Sequence, residues 1–195
     1  MNYEPLRRYI NDYAGTSLTD EEFGTISDAF VPKKLRKKQY LLQAGDVCKY
    51  IGFVIRGAFR QYSVDDRGVE HIIHFGIENW WVGDRESFTM LTPSPYHIDA
   101  VEDSEVLLIT SEKMQELTAA IPAMARMVRK LDQRNFAATQ KRIHASISLT
   151  AEDRYLELMN TYPVFLQRFP QNMIASYLGI TPETLSRIRR KALQK

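Results

Sequence analysis

Apolar positions along this chain change their period twice, so it reads as a helical start, a strand-rich middle and a helical end. Phe23, Ile26 and Phe30 share one face behind the acids Asp20, Glu21 and Glu22, which predicts a helix after Leu18-Thr19 that Pro32 ends. The basic run Lys33, Lys34, Arg36, Lys37 and Lys38 around Leu35 predicts an exposed, charged edge strand. Residues 39–42 predict a strand, and Ala44-Gly45-Asp46 a turn. Ile51, Phe53 and Ile55 alternate, Arg56-Gly57 reverses the chain, and residues 58–64 pair back. After the turn Asp65-Asp66-Arg67-Gly68, Val69, His71, Ile73 and Phe75 alternate with Glu70, Ile72 and His74. Further strands are expected at 96–101 and 106–109. So many short strands predict an antiparallel roll or jelly roll.

From Ser111, which caps a helix over 112–119, the helical period returns. Pro122 opens a long helix to about residue 149. Along it Met124, Val128, Leu131, Asn135, Ala138, Arg142, Ala145 and Leu149 recur at alternating spacings of four and three, a seam that predicts pairing with a second copy. Thr150 caps a helix over 152–159. Residues 171–190, QNMIASYLGITPETLSRIRR, then give two short helices: Ile174, Ala175 and Leu178 face inwards, Gly179 turns, and Thr181-Pro182 starts the second. Leu185 and Ile188 are its inner face, leaving Glu183, Thr184, Ser186, Arg187, Arg189 and Arg190 outside, with Lys191 beyond. That is a helix-turn-helix with a polar, basic outer face. The expected organisation is therefore α+β: a roll over 1–121, a connecting dimerisation helix over 122–149, and a helix-turn-helix unit over 150–195.

Charge sharpens this picture. Residues 154–195 hold seven Lys/Arg against two Asp/Glu, so with +2 for the whole chain the first 153 residues carry −3. One basic end on an acidic remainder suits contact with phosphates at that end alone. The single cysteine, Cys48, leaves no intrachain disulfide or cysteine-ligated iron–sulfur cluster and suits a reducing compartment. The polar start and the lack of a long apolar run predict a soluble, cytoplasmic protein with no membrane contact. No catalytic residue, metal site or cofactor is expected. His71 and His74 fall three apart on a strand and so on opposite faces, unlike the His-x-His pair of a strand-roll metal site. No Ser-His-Asp set, carboxylate pair or glycine-rich phosphate loop stands out.

A roll, a long helix and a helix-turn-helix in that order resemble the catabolite-activator (Crp/Fnr) family of bacterial transcription regulators, over essentially the whole chain. Gly45 and Gly57 match the roll's turn glycines, and Trp81-Val82-Gly83-Asp84 resembles the start of its phosphate-binding cassette. Ile98 to Val106 resembles the following strand pair, and Thr139 matches a long-helix threonine that touches cyclic nucleotide. In the run Thr181-Pro182-Glu183-Thr184-Leu185-Ser186-Arg187, Glu183 and Arg187 match two base-reading positions.

The cassette departs from the family at informative places. Asp84 is shorter than the family's glutamate, and Ser94-Pro95 stands where an arginine and a hydroxyl residue hold the cyclic phosphate. Losing that guanidinium removes the main charge-assisted contact, and Pro95 offers no backbone donor. Arg85 is the neighbouring substitute. Pro182 replaces an arginine, so the family's DNA sequence does not transfer. The resemblance implies a homodimer that binds double-stranded DNA sequence-specifically and senses an unknown small-molecule effector in a diverged pocket of Gly83, Asp84, Arg85, Ser94, Pro95 and Thr139. RNA polymerase is left open as a further partner. The competing reading is a ligand-binding roll whose helical tail contacts proteins.

Overall fold

The computed structural model of the chain describes residues 1–192. Its helices and strands follow in the order α1 (Glu4–Ala14), α2 (Asp20–Asp28), β1 (Val31–Leu35), β2 (Tyr40–Leu42), β3 (Tyr50–Arg56), β4 (Phe59–Val64), β5 (Glu70–Gly76), β6 (Trp81–Val82) and α3 (Arg85–Met90). Then come β7 (His97–Ala100), β8 (Ser104–Thr110), α4 (Ser111–Ala120), the long α5 (Pro122–Ser148), α6 (Ala151–Thr161), α7 (Pro163–Arg168), α8 (Gln171–Leu178) and α9 (Pro182–Ala192).

The strands form two four-stranded antiparallel sheets, ordered β1-β8-β3-β6 and β2-β7-β4-β5. Phe53, Phe59, Ile98, Val106 and Leu107, all buried, belong to the core of this roll. Gly57 makes its tightest corner: φ is 107°, and a Cβ there would lie 2.0 Å from the Ser104 hydroxyl. The basic edge strand is β1, exposed at every residue except Leu35, with Pro32 inside it where an edge needs no ladder donor.

Two local departures from the expected pattern reshape the molecule. The first is α1, whose segment reads as polar because three of its apolar contacts are tyrosines. Leu6 and Ile10 are fully buried, and Tyr9 packs edge-on against Phe53 at 5.1 Å. This helix lies along α5, so Met124, Met127 and Leu131 are buried in the chain's own core. The N-terminal half of the expected seam is thus closed internally. The second departure is a bulge in β5: Gln61 faces His74 and Tyr62 faces Ile72, so Ile73 is an extra residue. The strict alternation breaks there, and both Ile72 and Phe75 join the core of the C-terminal helices.

That second core holds α6 to α9 on the outer face of the roll. Phe75 stacks on Phe169 with centroids 3.9 Å apart, and Trp80 meets Tyr162 and Phe165 at 5.4 and 5.8 Å. Polar ties frame it. The Ser176 hydroxyl donates to the Glu70 carbonyl at 2.8 Å and accepts from the Ile72 amide at 2.9 Å, so α8 covers the free edge of β5. Arg168 pairs with Glu78 at 2.5 Å and with Glu102. Arg142 of α5 donates to the carbonyls of Ile73, Ile72 and Tyr177, and its guanidinium lies 4.2 Å from the Tyr177 ring centre. Among the described residues no helix is long and apolar enough to cross a membrane.

Candidate nucleic-acid interface and effector cassette

The last two helices are built from local signals. In α8, Ile174, Ala175 and Leu178 are buried. Gly179 adopts φ 67°, and its amide closes the helix on the carbonyls of Ala175 and Ser176. The Thr181 hydroxyl accepts from the Thr184 amide at 3.2 Å and so caps α9. Leu185 and Ile188 are buried against α8 and α6. Ala175 has no exposed surface, which lets the two helices approach closely.

This anchoring turns one face of α9 to solvent. Thr181, Glu183, Ser186, Arg187, Arg190 and Lys191 are exposed, while Thr184 and Arg189 are half-buried. Arg187 donates to the Thr184 hydroxyl at 3.2 Å and is left with further donors. The Glu183 carboxyl is held below its ordinary range by its own amide and by the Thr181 hydroxyl, with Arg187 adding to the effect. Lys191 pairs with Glu152 of α6 at 2.6 Å. The face therefore offers one carboxylate near the helix start and a cluster of cations along its second half.

In the cassette, Asp84 is almost fully buried and its carboxylate caps α3, accepting from the amides of Glu86 and Ser87. The Ser87 hydroxyl takes the Cys48 amide at 2.8 Å and donates to the Thr92 carbonyl at 2.5 Å. Ser94 is buried, and its hydroxyl accepts from the Tyr96 amide at 3.1 Å. Inside the roll, next to Gly83, the free space is about 10 Å³, walled by Phe59, His74, Val82 and Ile98. That is room for about one water molecule. The arginine on this wall, Arg60, is held by Asp99 at 2.8 Å and by Glu70.

A sequence profile of the cyclic nucleotide-binding domain matches residues 32–120. The chain is 27% identical to the transcriptional activator protein Anr of Pseudomonas aeruginosa, across 88% of this chain and 75% of that one. It is 26% identical to the fumarate and nitrate reduction regulatory protein of Vibrio cholerae, across 88% and 73%. The structure superposes on FixK2 of Bradyrhizobium japonicum with a TM-score of 0.72, covering 85% of each chain at 17% identity, which shows a shared fold. The chain is similar to regulators of the Crp/Fnr type along most of its length. These curated relatives are named as transcriptional activators or regulatory proteins.

In this chain the six expected effector residues do not converge. Gly83 alone of them lines the inner cavity. Arg85 points the other way and pairs with Asp132 of α5 at 2.5 Å. Asp84 and Ser94 are engaged with backbone, Pro95 is exposed, and Thr139 is exposed on α5. The eight expected DNA-contacting residues do share one helix and its capping turn. Sequence reasoning missed Arg142 and Arg168, the two cations that fix the C-terminal helices to the roll. Arg142 stood in the expected seam as a polar interruption, which was the available signal.

Proposed function

We propose that this chain is a homodimeric, sequence-specific DNA-binding transcription regulator that reads the major groove with α9. The observation that carries the reading is the outer face of α9: exposed Glu183 and Arg187 one turn apart, with Arg190 further along, on a helix held by buried Leu185 and Ile188. Glu183 accepts from a cytosine amino group and Arg187 forks onto guanine. Arg189, Arg190 and Lys191 hold phosphates, Lys191 by leaving Glu152. Residues 150–195 act as the DNA-binding unit, 122–149 as the dimer helix and 1–121 as the sensor.

The dimer contact in this reading is a stripe on the solvent side of α5. Phe136, Ile143 and Ile147 are 68%, 49% and 80% exposed, and their spacing of seven and four residues repeats on one helix face. Pairing with a second copy would cover apolar surface that water otherwise meets. The interior of the roll, filled by Phe59, His74 and Ile98, supports the loss of cyclic nucleotide binding there.

Affinities for a selected operator and a scrambled duplex at several salt concentrations test the role of α9. Arg187→Ala should cost about 1–3 kcal/mol on the operator and leave the scrambled duplex nearly unchanged. Arg190→Ala should weaken both alike and lower the salt slope by about one. If Arg187→Ala weakens both duplexes equally, Arg187 is a phosphate contact and the base-reading assignment fails.

A further inference from the structure

The cassette helix α3 has two sides, and they differ. Its inner side is closed by buried Ser87, which bonds the Cys48 amide and the Thr92 carbonyl, whereas its outer side borders a cavity of about 160 Å³ between α3, α4 and α5. An apolar cavity of about 150 Å³ is enough to take a benzene ring. The floor here comes from Phe88, Met114, Met127 and Leu131, with Trp81 on one wall. Two of these are methionines, whose unbranched, polarizable chains fit irregular guests. Thr89, Ser111, Gln115 and Thr118 complete the lining, but against the floor itself a sugar or a phosphate would leave polar groups unpaired.

The charge at the mouth sets the other half of the ligand. Arg85 borders the cavity and is 48% exposed at its side chain, with Asp132 of α5, equally exposed, across the pair. A guanidinium can take a carboxylate through two parallel bonds, and this one is open to solvent. We propose that this outer cavity is the effector site of the chain and takes a small apolar carboxylate, its head on Arg85 in competition with Asp132. Asp132 stands one helical turn before Phe136 on α5. Binding would loosen the tie from α3 to α5 beside the exposed apolar stripe, and so reach the dimer helix from outside the roll. The binding claim stands by itself; only its consequence for DNA rests on the regulatory reading above.

Titration calorimetry on the full chain without DNA, using octanoate as the probe and 1-octanol as its uncharged counterpart, tests the site. Octanoate should bind at millimolar concentration or below, and octanol at least about tenfold more weakly, a difference one charge-assisted pair can supply. Arg85→Met should bring the two ligands level, and Val128→Phe, which fills the cavity from its wall, should abolish both. Trp81 emission in a Trp80→Phe background should shift on binding and supplies a second readout. No octanoate binding at several millimolar, an unchanged preference in Arg85→Met, or unchanged binding in Val128→Phe would overturn the site. Octanoate that binds yet leaves operator affinity unchanged would overturn its role as effector. A chain that selects no DNA sequence at all would instead refute the regulatory reading, while the calorimetry would stand.

Discussion

Arg142 gathers three elements at one guanidinium: its own helix α5, the bulged strand β5 and the C-terminal end of α8. A planar fork with five donors reaches carbonyls in different directions, which an ammonium cannot do. Arg142→Met keeps the stem's packing but strips those bonds, and should cost about 2 kcal/mol in urea unfolding, with Arg142→Lys recovering little of it. Beside it, burial pushes the His74 imidazole down to about 4 from an ordinary 6.5, and the Arg142 charge adds to the shift. The folded state therefore keeps His74 neutral where the unfolded chain protonates. Stability should be full above about pH 6.5 and fall progressively towards pH 4, with His74→Gln flattening that part of the curve. Gly179 makes a third point at this scale. Nothing lies within 4 Å of a Cβ built there, so Gly179→Ala should cost only the left-handed conformation itself, about 1–2 kcal/mol by thermal melting.

Elements were legible in the sequence to the degree that their signals are local. The α8–α9 pair follows from a glycine turn, a threonine cap and short-range apolar spacing, and its inner residues Ile174, Ala175, Leu178, Leu185 and Ile188 are all buried. The partner of each face of α5 was not legible, because it depends on α1, a helix whose tyrosines mask its apolar side. Met124 and Leu131 consequently pack within their own chain, while Phe136, Ile143 and Ile147 face water. Phe136→Glu with Ile143→Glu should then yield a folded monomer by sedimentation, since both positions are exposed in the single chain and the charges would meet their copies across a two-fold axis. A dimer that survives both changes would mean that another surface pairs. In β5 the alternation failed at Ile73 for a similar reason: a bulge is set by pairing with β4, not by the strand's own pattern.

For the whole molecule, the site was half legible. The polar face of α9 could be read residue by residue, but the cassette could not, because Asp84 and Ser94 turned out to serve the backbone and Arg85 points outwards. Nor does the sequence show that the C-terminal helices share a core with Ala58, Tyr62, Ile72 and Phe75 of the roll. That shared core joins the C-terminal helices to the sheet of the roll, with Arg168 joining Glu78 and Glu102 across it. Arg168→Ala should leave two half-buried carboxylates uncompensated and speed proteolysis between the roll and α7. Whether α9 reads bases is decided by selecting bound duplexes from a random pool with the intact chain. A base-reading α9 should select a two-fold symmetric site with half-site centres about 10 base pairs apart, and Arg187→Ala should lose its preference at one G·C pair in each half. Selection that enriches no sequence, or enriches the same one with Arg187→Ala, would contradict it.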